Sequence, residues 1–440
     1  MLGTVAALGI TGLDAPHNDG FHIQHGIRAM LSSTLRLRLP LFLAVFIDIF
    51  SFGLMYPLIV ALFDTGWIAD TYPPATRDTL LSLAFSLFPI GMFFGAALLG
   101  DLSDALGRRR TLMICMAGLG LSYGVMWAAL EGGLLWMFFI GRLCSGLMAG
   151  TAPIAQAAMV DAVPEDQRSA AMAQVVFVNT LGMVAGPAIG GVLGHWDLRL
   201  PLVLALVLCA VTLVMLKRAH LAADIPHRDL ALDWKQPFRL LARVRQRPAI
   251  WMPAAAFFLF QLGFLIYYTF ILIEMQRSYG FTTLELGLFS MVMGIGCAFS
   301  SALGFQWARA RLGTDRMTAL VGLALCGSCL FISALPLPAW TQLVLAFLST
   351  ASNILAFITL LAAISSAVDE TERGWALGIA NSSVALSVLA AGLLTSLLVF
   401  APADLFLALG GGLIMLALVP ALRLGAAAST STCCAGEVPD

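Results

Sequence analysis

Asp48 lies nine residues into an apolar run that begins at Leu39 and ends at Phe63. In a helix rising 1.5 Å per residue it would sit roughly 13 Å deep in a bilayer. A carboxylate there is costly unless it is paired, hydrated or protonated. Burial penalises the charged form, so a group in that position is suited to taking up and releasing a proton. A second buried charge, Arg142, falls inside the run Gly141-Arg142-Leu-Cys-Ser-Gly146-Leu-Met-Ala-Gly150. A cation close to Asp48 would favour its ionised state, and cargo or motion would alter that balance. The plainer readings are a helix-packing hydrogen bond for Asp48 and a structural or snorkelling arginine at 142.

Two further patterns carry chemistry. Gly100-Asp-Leu-Ser-Asp104-Ala-Leu-Gly107-Arg108-Arg109-Arg110 is a tight charged turn between apolar stretches that hold no charge. Cationic loops resist translocation, so three arginines there mark a cytoplasmic side. Asp161 ends the fourth apolar run on that same side. In the fifth run, Gly182, Gly186 and Gly190 form a smooth strip on one helix face, which permits close helix contact. Pro187 removes a backbone hydrogen bond within it and bends the helix, and Gly191 follows. Side chains fit to meet a cargo are Gln261 and Tyr268, seven apart on one helix face, with Asn179, Asn353, Asn381, Phe85 and Ser86. Each also suits a helix–helix hydrogen bond or simple packing.

The elements that must position these residues are membrane helices. The chain has 440 residues, 60% hydrophobic and 11% charged, with a mean hydropathy of +0.92. A water-soluble domain could not hide that much apolar surface, so lipid is its solvent. Twelve apolar runs appear: 39–63, 80–100, 111–130, 134–160, 169–194, 200–216, 249–273, 286–308, 317–335, 340–368, 374–400 and 405–422. Pro336-Leu-Pro338 separates the ninth from the tenth. Placing both termini in the cytoplasm puts 20 of the 24 Lys and Arg on the inner side. Only Arg77, Arg199 and Arg277 fall outside, which fixes the orientation. The expected organisation is a tail over 1–38, a six-helix bundle over 39–216, a basic linker over 217–248, a second bundle over 249–424 and a tail over 425–440. The tail does not look like a cleaved signal, and Met30 is an alternative start. The halves repeat: Met159-Val-Asp161 with Arg168-Ser-Ala-Ala-Met172 reappears as Ala367-Val-Asp369 with Arg373-Gly-Trp-Ala-Leu377. Arg309, Arg311, Gly313 and Arg316 are a worn copy of the arginine turn. Repeated halves around a central site are a usual architecture of secondary transporters.

Other classes find little support. No Walker loop, nucleophile elbow or metal-spaced His/Cys set occurs, so no enzyme activity, metal or cofactor is expected. A net charge of −1 gives no reason to expect a nucleic-acid partner. Cys326-Gly-Ser-Cys329 has redox spacing, but inside a span its cysteines read as small packing residues.

The arginine turn resembles the loop signature between the second and third helices of the major facilitator superfamily, with Ala105 where a basic residue is usual. The run Phe46-Ile-Asp48-Ile-Phe-Ser-Phe-Gly53-Leu-Met-Tyr-Pro57 resembles the first helix of its drug:proton antiporters, tetracycline exporters in particular, with Val60 in place of a second proline. The glycine–proline strip resembles their fifth-helix antiporter motif, with Ala173 replacing a preceding glycine. The resemblance implies an all-α integral membrane protein of twelve transmembrane helices in two pseudo-symmetric six-helix bundles. It implies proton coupling at Asp48 and Arg142, and a conformational switch of Gly100, Asp104, Gly107, Arg108, Arg109 and Asp161. Asp104, Arg108 and Asp161 would act as a charge relay, unless the pair is merely solvated and worth under roughly 1 kcal/mol. The expected activity is export of a small hydrophobic compound from the cytoplasm by a monomer in the bacterial inner membrane, driven by inward proton flow. Proton symport of a metabolite or peptide-like solute on the same fold, or a non-transporting receptor, are the rival readings.

Overall fold

The structure is a computed structural model and describes residues 20–64, 66–161, 168–218, 248–368 and 373–423. Twelve of its helices are long and apolar enough to cross a membrane. They are Leu39–Asp64, Pro74–Gly95, Arg108–Gly132, Leu135–Met159, Phe177–Trp196 and Leu200–Arg218 (spans 1 to 6) and Ile250–Arg277, Thr283–Leu312, Asp315–Ser333, Ala339–Ser366, Gly378–Val399 and Ala403–Leu422 (spans 7 to 12). Helices are the natural solution, because hydrocarbon offers backbone N–H and C=O groups no partner outside the segment. Several run past the apolar stretch: the helix of span 1 begins at Gly20 and that of span 2 continues to Leu106. The break between spans 9 and 10 falls at the two prolines, as expected.

Span 4 differs from the single run that the apolar pattern suggests. It consists of two helices, Leu135–Leu147 (span 4a) and Thr151–Asp161 (span 4b). The local sequence favours it: Gly150 is a weak helix former, and Pro153 has no N–H to donate to residue 149 and crowds that carbonyl in a continuous helix. A proline is tolerated in the first turn of a new helix instead.

The two bundles repeat one another in detail. Gly107, with φ of 88°, turns the chain from span 2 to span 3, and Gly313, at 75°, does so from span 8 to span 9. A side chain is strained at such angles. Arg109 then donates to the carbonyls of Leu216 and Lys217, at 2.9 and 2.6 Å, capping the end of span 6. Arg316 makes the equivalent bond to Leu422 at the end of span 12. Orphan carbonyls at a helix C-terminus favour such cations.

Small residues set the helix spacing. A Cβ at Gly182 or Gly190 would come within 3.0 Å of the Phe46 carbonyl or 2.8 Å of that of Leu54, so span 5 lies directly on the backbone of span 1. Gly53 leaves room for the Pro187 ring, whose Cδ a Cβ there would meet at 2.7 Å. Cys326 and Cys329 are buried free thiols in span 9, consistent with packing. Gly186→Val would drive a branched side chain into the Phe50 carbonyl. Overpacking of this kind costs about 1–3 kcal/mol, so a clear drop in melting temperature of the detergent-solubilised protein is expected. Gly124→Ala, placed where a Cβ meets nothing within 4 Å, should melt like the parent. Equal melting of the two variants would contradict this packing.

Candidate functional site

The face of span 1 that carries Phe46, Phe50 and Leu54 is taken by span 5, so Asp48 points the other way, toward span 4. Its Oδ2 accepts a hydrogen bond from the Ala152 amide at 3.1 Å. That amide belongs to the first turn of span 4b, where N–H groups lack intrahelical partners and the helix dipole favours negative charge. The neighbouring Thr151 hydroxyl also faces the carboxyl and lies 3.5 Å from the Ala44 carbonyl, one turn below Asp48. Cys115 and Tyr123 of span 3 and Cys209 of span 6 lie within electrostatic reach.

Arg142 is not the partner of Asp48. Only 4% exposed, it donates from Nε to the Ala84 carbonyl at 3.2 Å, and its guanidinium lies 4.9 Å from the Phe88 ring centre. Both contacts are on span 2, so Arg142 ties span 4a to that helix by a charge-assisted bond and a cation–π contact. Among the described residues it has no carboxylate partner. Tyr123 lies within electrostatic reach of both Asp48 and Arg142. Sequence reasoning overlooked it, although a phenol in the apolar run of span 3 was a visible signal.

At the arginine turn, Arg108 pairs with Asp104 at 3.2 Å and donates to the Ser103 hydroxyl at 2.9 Å. Gly100 is exposed, with open space around it. Asp161 closes span 4b, but its side chain lies outside the described residues, as does that of Asn381. The glycine–proline strip has two working faces. Gly182, Gly186 and Gly190 meet span 1, while a Cβ at Gly191 would come within 2.6 Å of Gly287 in span 8, across the seam between the bundles.

Of the cargo candidates, Tyr268 packs edge-on against Tyr56 at 4.8 Å, and Tyr56 lies 5.3 Å from Phe85. Spans 1, 2 and 7 thus meet in an aromatic cluster. Gln261 and Asn353 are buried with Oε1 and Nδ2 unpartnered, as is Oδ1 of the half-buried Asn179. A buried polar atom left unpaired costs about 1–3 kcal/mol, which marks these side chains as receptive to a polar group.

Away from the arginine turn, at the opposite end, is a site that the sequence did not reveal. Arg277 of span 7 donates to both carboxylate oxygens of Asp64, at 3.0 and 2.9 Å, and to Asp78 at 2.6 Å. These are the ends of spans 1 and 2, so the ion pairs join the bundles. They border a cavity of about 620 Å³ lined also by Arg77, Gln276 and Thr282. The Ser82 hydroxyl crosses the same seam to the Gly392 carbonyl at 3.0 Å. Arg277 and Ser82 thus tie the two bundles together at this end.

Residues 41–392 match the family profile described as Major Facilitator Superfamily. The chain is 26% identical over 352 residues to the class G tetracycline resistance protein of Vibrio anguillarum, covering 79% of this chain and 86% of that one. It is 25% identical over 396 residues to the class C protein of Escherichia coli, covering 88% and 97%. The crystal structure of the human organic anion transporter MFSD10 superposes with a TM-score of 0.66 at 21% identity, covering 88% of this chain and 99% of that one; that likeness concerns the fold.

Arg277→Gln should loosen the seam, because two carboxylates would lose their shared cation. In a background without native cysteines, Ser82→Cys is expected to react several-fold faster with an impermeant maleimide when Arg277→Gln is added. An unchanged rate would mean that these ion pairs do not hold the bundles together.

Proposed function

We propose a proton-driven export function for this chain, which belongs to the Major Facilitator Superfamily. The protein is a membrane transporter; the reading beyond that is export of small hydrophobic compounds from the cytoplasm by alternating access. One observation carries the proton coupling: the Asp48 carboxyl is held by a helix N-terminus and not by a cation. Had it been locked to an arginine, protonating it would strand a buried positive charge, at a cost of several kcal/mol. Neutral donors, the Ala152 amide and the Thr151 hydroxyl, leave no buried charge behind when the carboxyl is protonated.

Similarity to the tetracycline resistance proteins and the Gly182–Gly191 strip support the export direction. In this cycle the arginine turn faces the cytoplasm, with both termini on that side of the plasma membrane. Cargo enters between the bundles from there while the Arg277 seam is closed. Gln261, Asn353 and the aromatic cluster around Tyr56 and Tyr268 are the proposed contacts. Once the seam opens, a proton from outside adds to the Asp48 carboxylate as cargo leaves, and it is released inside after the return. Only an O–H bond forms and breaks. Asp104, Arg108 and Asp161 would steady the state in which the inner side is shut, and Arg142 would hold spans 2 and 4a together throughout.

Inverted membrane vesicles energised with an inside-acid gradient test this, with tetracycline and a panel of lipophilic dyes as probes. The parent is expected to accumulate at least one probe and to lose accumulation when the gradient collapses. Asp48→Asn should lower accumulation at least ~10-fold, as expected when a group essential to proton transfer is removed, yet keep energy-independent exchange of the same probe. Flux indifferent to the gradient in both proteins would overturn the coupling, and depletion in place of accumulation would reverse the direction.

A further inference from the structure

We propose that Thr151 is the positioning residue of proton exchange, acting with the break that precedes it and switching its hydroxyl between the Ala44 carbonyl and the Asp48 carboxyl. This rests on Asp48 being the proton carrier. A hydroxyl has one proton to donate. An ionised carboxylate is the stronger acceptor, so Thr151 turns to Asp48 when the proton is absent. When Asp48 is protonated, the Thr151 hydroxyl returns to Ala44, 3.5 Å away, and the bond from Ala152, at 3.1 Å in the structure, weakens because its acceptor has lost its charge. The state of one proton is thereby read as a change in hydrogen bonding between spans 1 and 4b.

The break lets that change move something. Span 4a is fastened to span 2: Gly91 and Gly95 abut the backbone of Leu143 and Leu147, and Arg142 holds Ala84. Met148 at the break covers Gly118 of span 3, where a Cβ would come within 2.7 Å of its sulfur. Span 4b, on the other side, is held at its start by span 1. The non-helical residues Ala149 and Gly150 lie between them. Span 2 in turn carries Asp78 and Ser82 of the seam at one end, and its helix runs on to Asp104 beside the arginine turn at the other. Motion of span 4b against span 4a therefore has a path to both ends of the molecule.

The surroundings give Thr151 little competition. Within electrostatic reach of Asp48 are Cys115 and Tyr123 from span 3 and Cys209 from span 6. Span 5 packs on the far side of span 1 through glycines, and Arg142 reaches Tyr123 but forms no ion pair with Asp48 among the described residues.

Thr151→Val keeps the shape and removes the donor, whereas Thr151→Ser keeps the donor. The readouts are the pH profile of gradient-driven probe accumulation and the infrared difference band of the protonated Asp48 carboxyl, identified by its absence in Asp48→Asn. The valine variant is expected to displace the profile by about one pH unit, the scale of one lost hydrogen bond to a charged group, and to shift the band. The serine variant should retain the parent's profile and band. Thr151→Ala serves the same reading if the valine variant does not assemble. A parental profile and band without the hydroxyl would overturn the proposal while leaving Asp48 as carrier. A band and coupled flux that survive Asp48→Asn would instead overturn the carrier reading itself.

Discussion

A broken helix and a buried carboxylate are each costly in hydrocarbon, and in this chain each satisfies the other. Span 4b opens with amides that have no intrahelical acceptor, and Asp48 brings an acceptor with no cation. The bond between Ala152 and Asp48 settles part of both debts at one point. Gly150 and Pro153 favour the break, and the carboxylate makes it tolerable. The arrangement is also responsive, since protonating the acceptor weakens the bond without leaving a buried ion behind. A salt bridge with Arg142 would have been stiffer and less reversible.

The rest of the first bundle keeps that point in register. Glycines let span 5 lie on span 1 and span 2 lie on span 4a at backbone contact. Membrane helices gain little from hydrophobic sorting, so close van der Waals contact and a few polar ties carry the assembly. Arg142 is one of those ties. Its guanidinium meets a carbonyl and an aromatic face on span 2, so in the structure it braces spans 4a and 2. At the far end the Arg277 ion pairs, with the Gly191–Gly287 contact, join the two bundles.

Much of this was legible along the chain. Run lengths gave the spans, Pro336 and Pro338 gave the split between spans 9 and 10, and the arginine turn and its worn copy placed Gly107 and Gly313 at turns. The spacing of Gly182, Gly186 and Gly190 gave a face that does lie against another helix. Three features were less visible. The break in span 4 was hidden because 134–160 has the length and hydropathy of a single crossing, although Gly150 and Pro153 stand at it. Tyr123 was passed over as one more aromatic among many. Arg277, Asp64 and Asp78 looked like three unrelated charges at run ends, because they lie far apart along the chain.

What the sequence determined by itself is what a bilayer reads locally: how long each apolar stretch is, where a proline or glycine interrupts it, and which ends carry the cations. What only the tertiary structure decided is partnership. Spacing assigns a side chain to a face of its own helix, but the helix that this face meets depends on how all the others pack. Asp48 and Arg142 show the difference. Sequence put both inside the membrane, and packing gave one to a helix N-terminus and the other to span 2, because the Gly182 strip claims one side of span 1 and turns the carboxylate to the other.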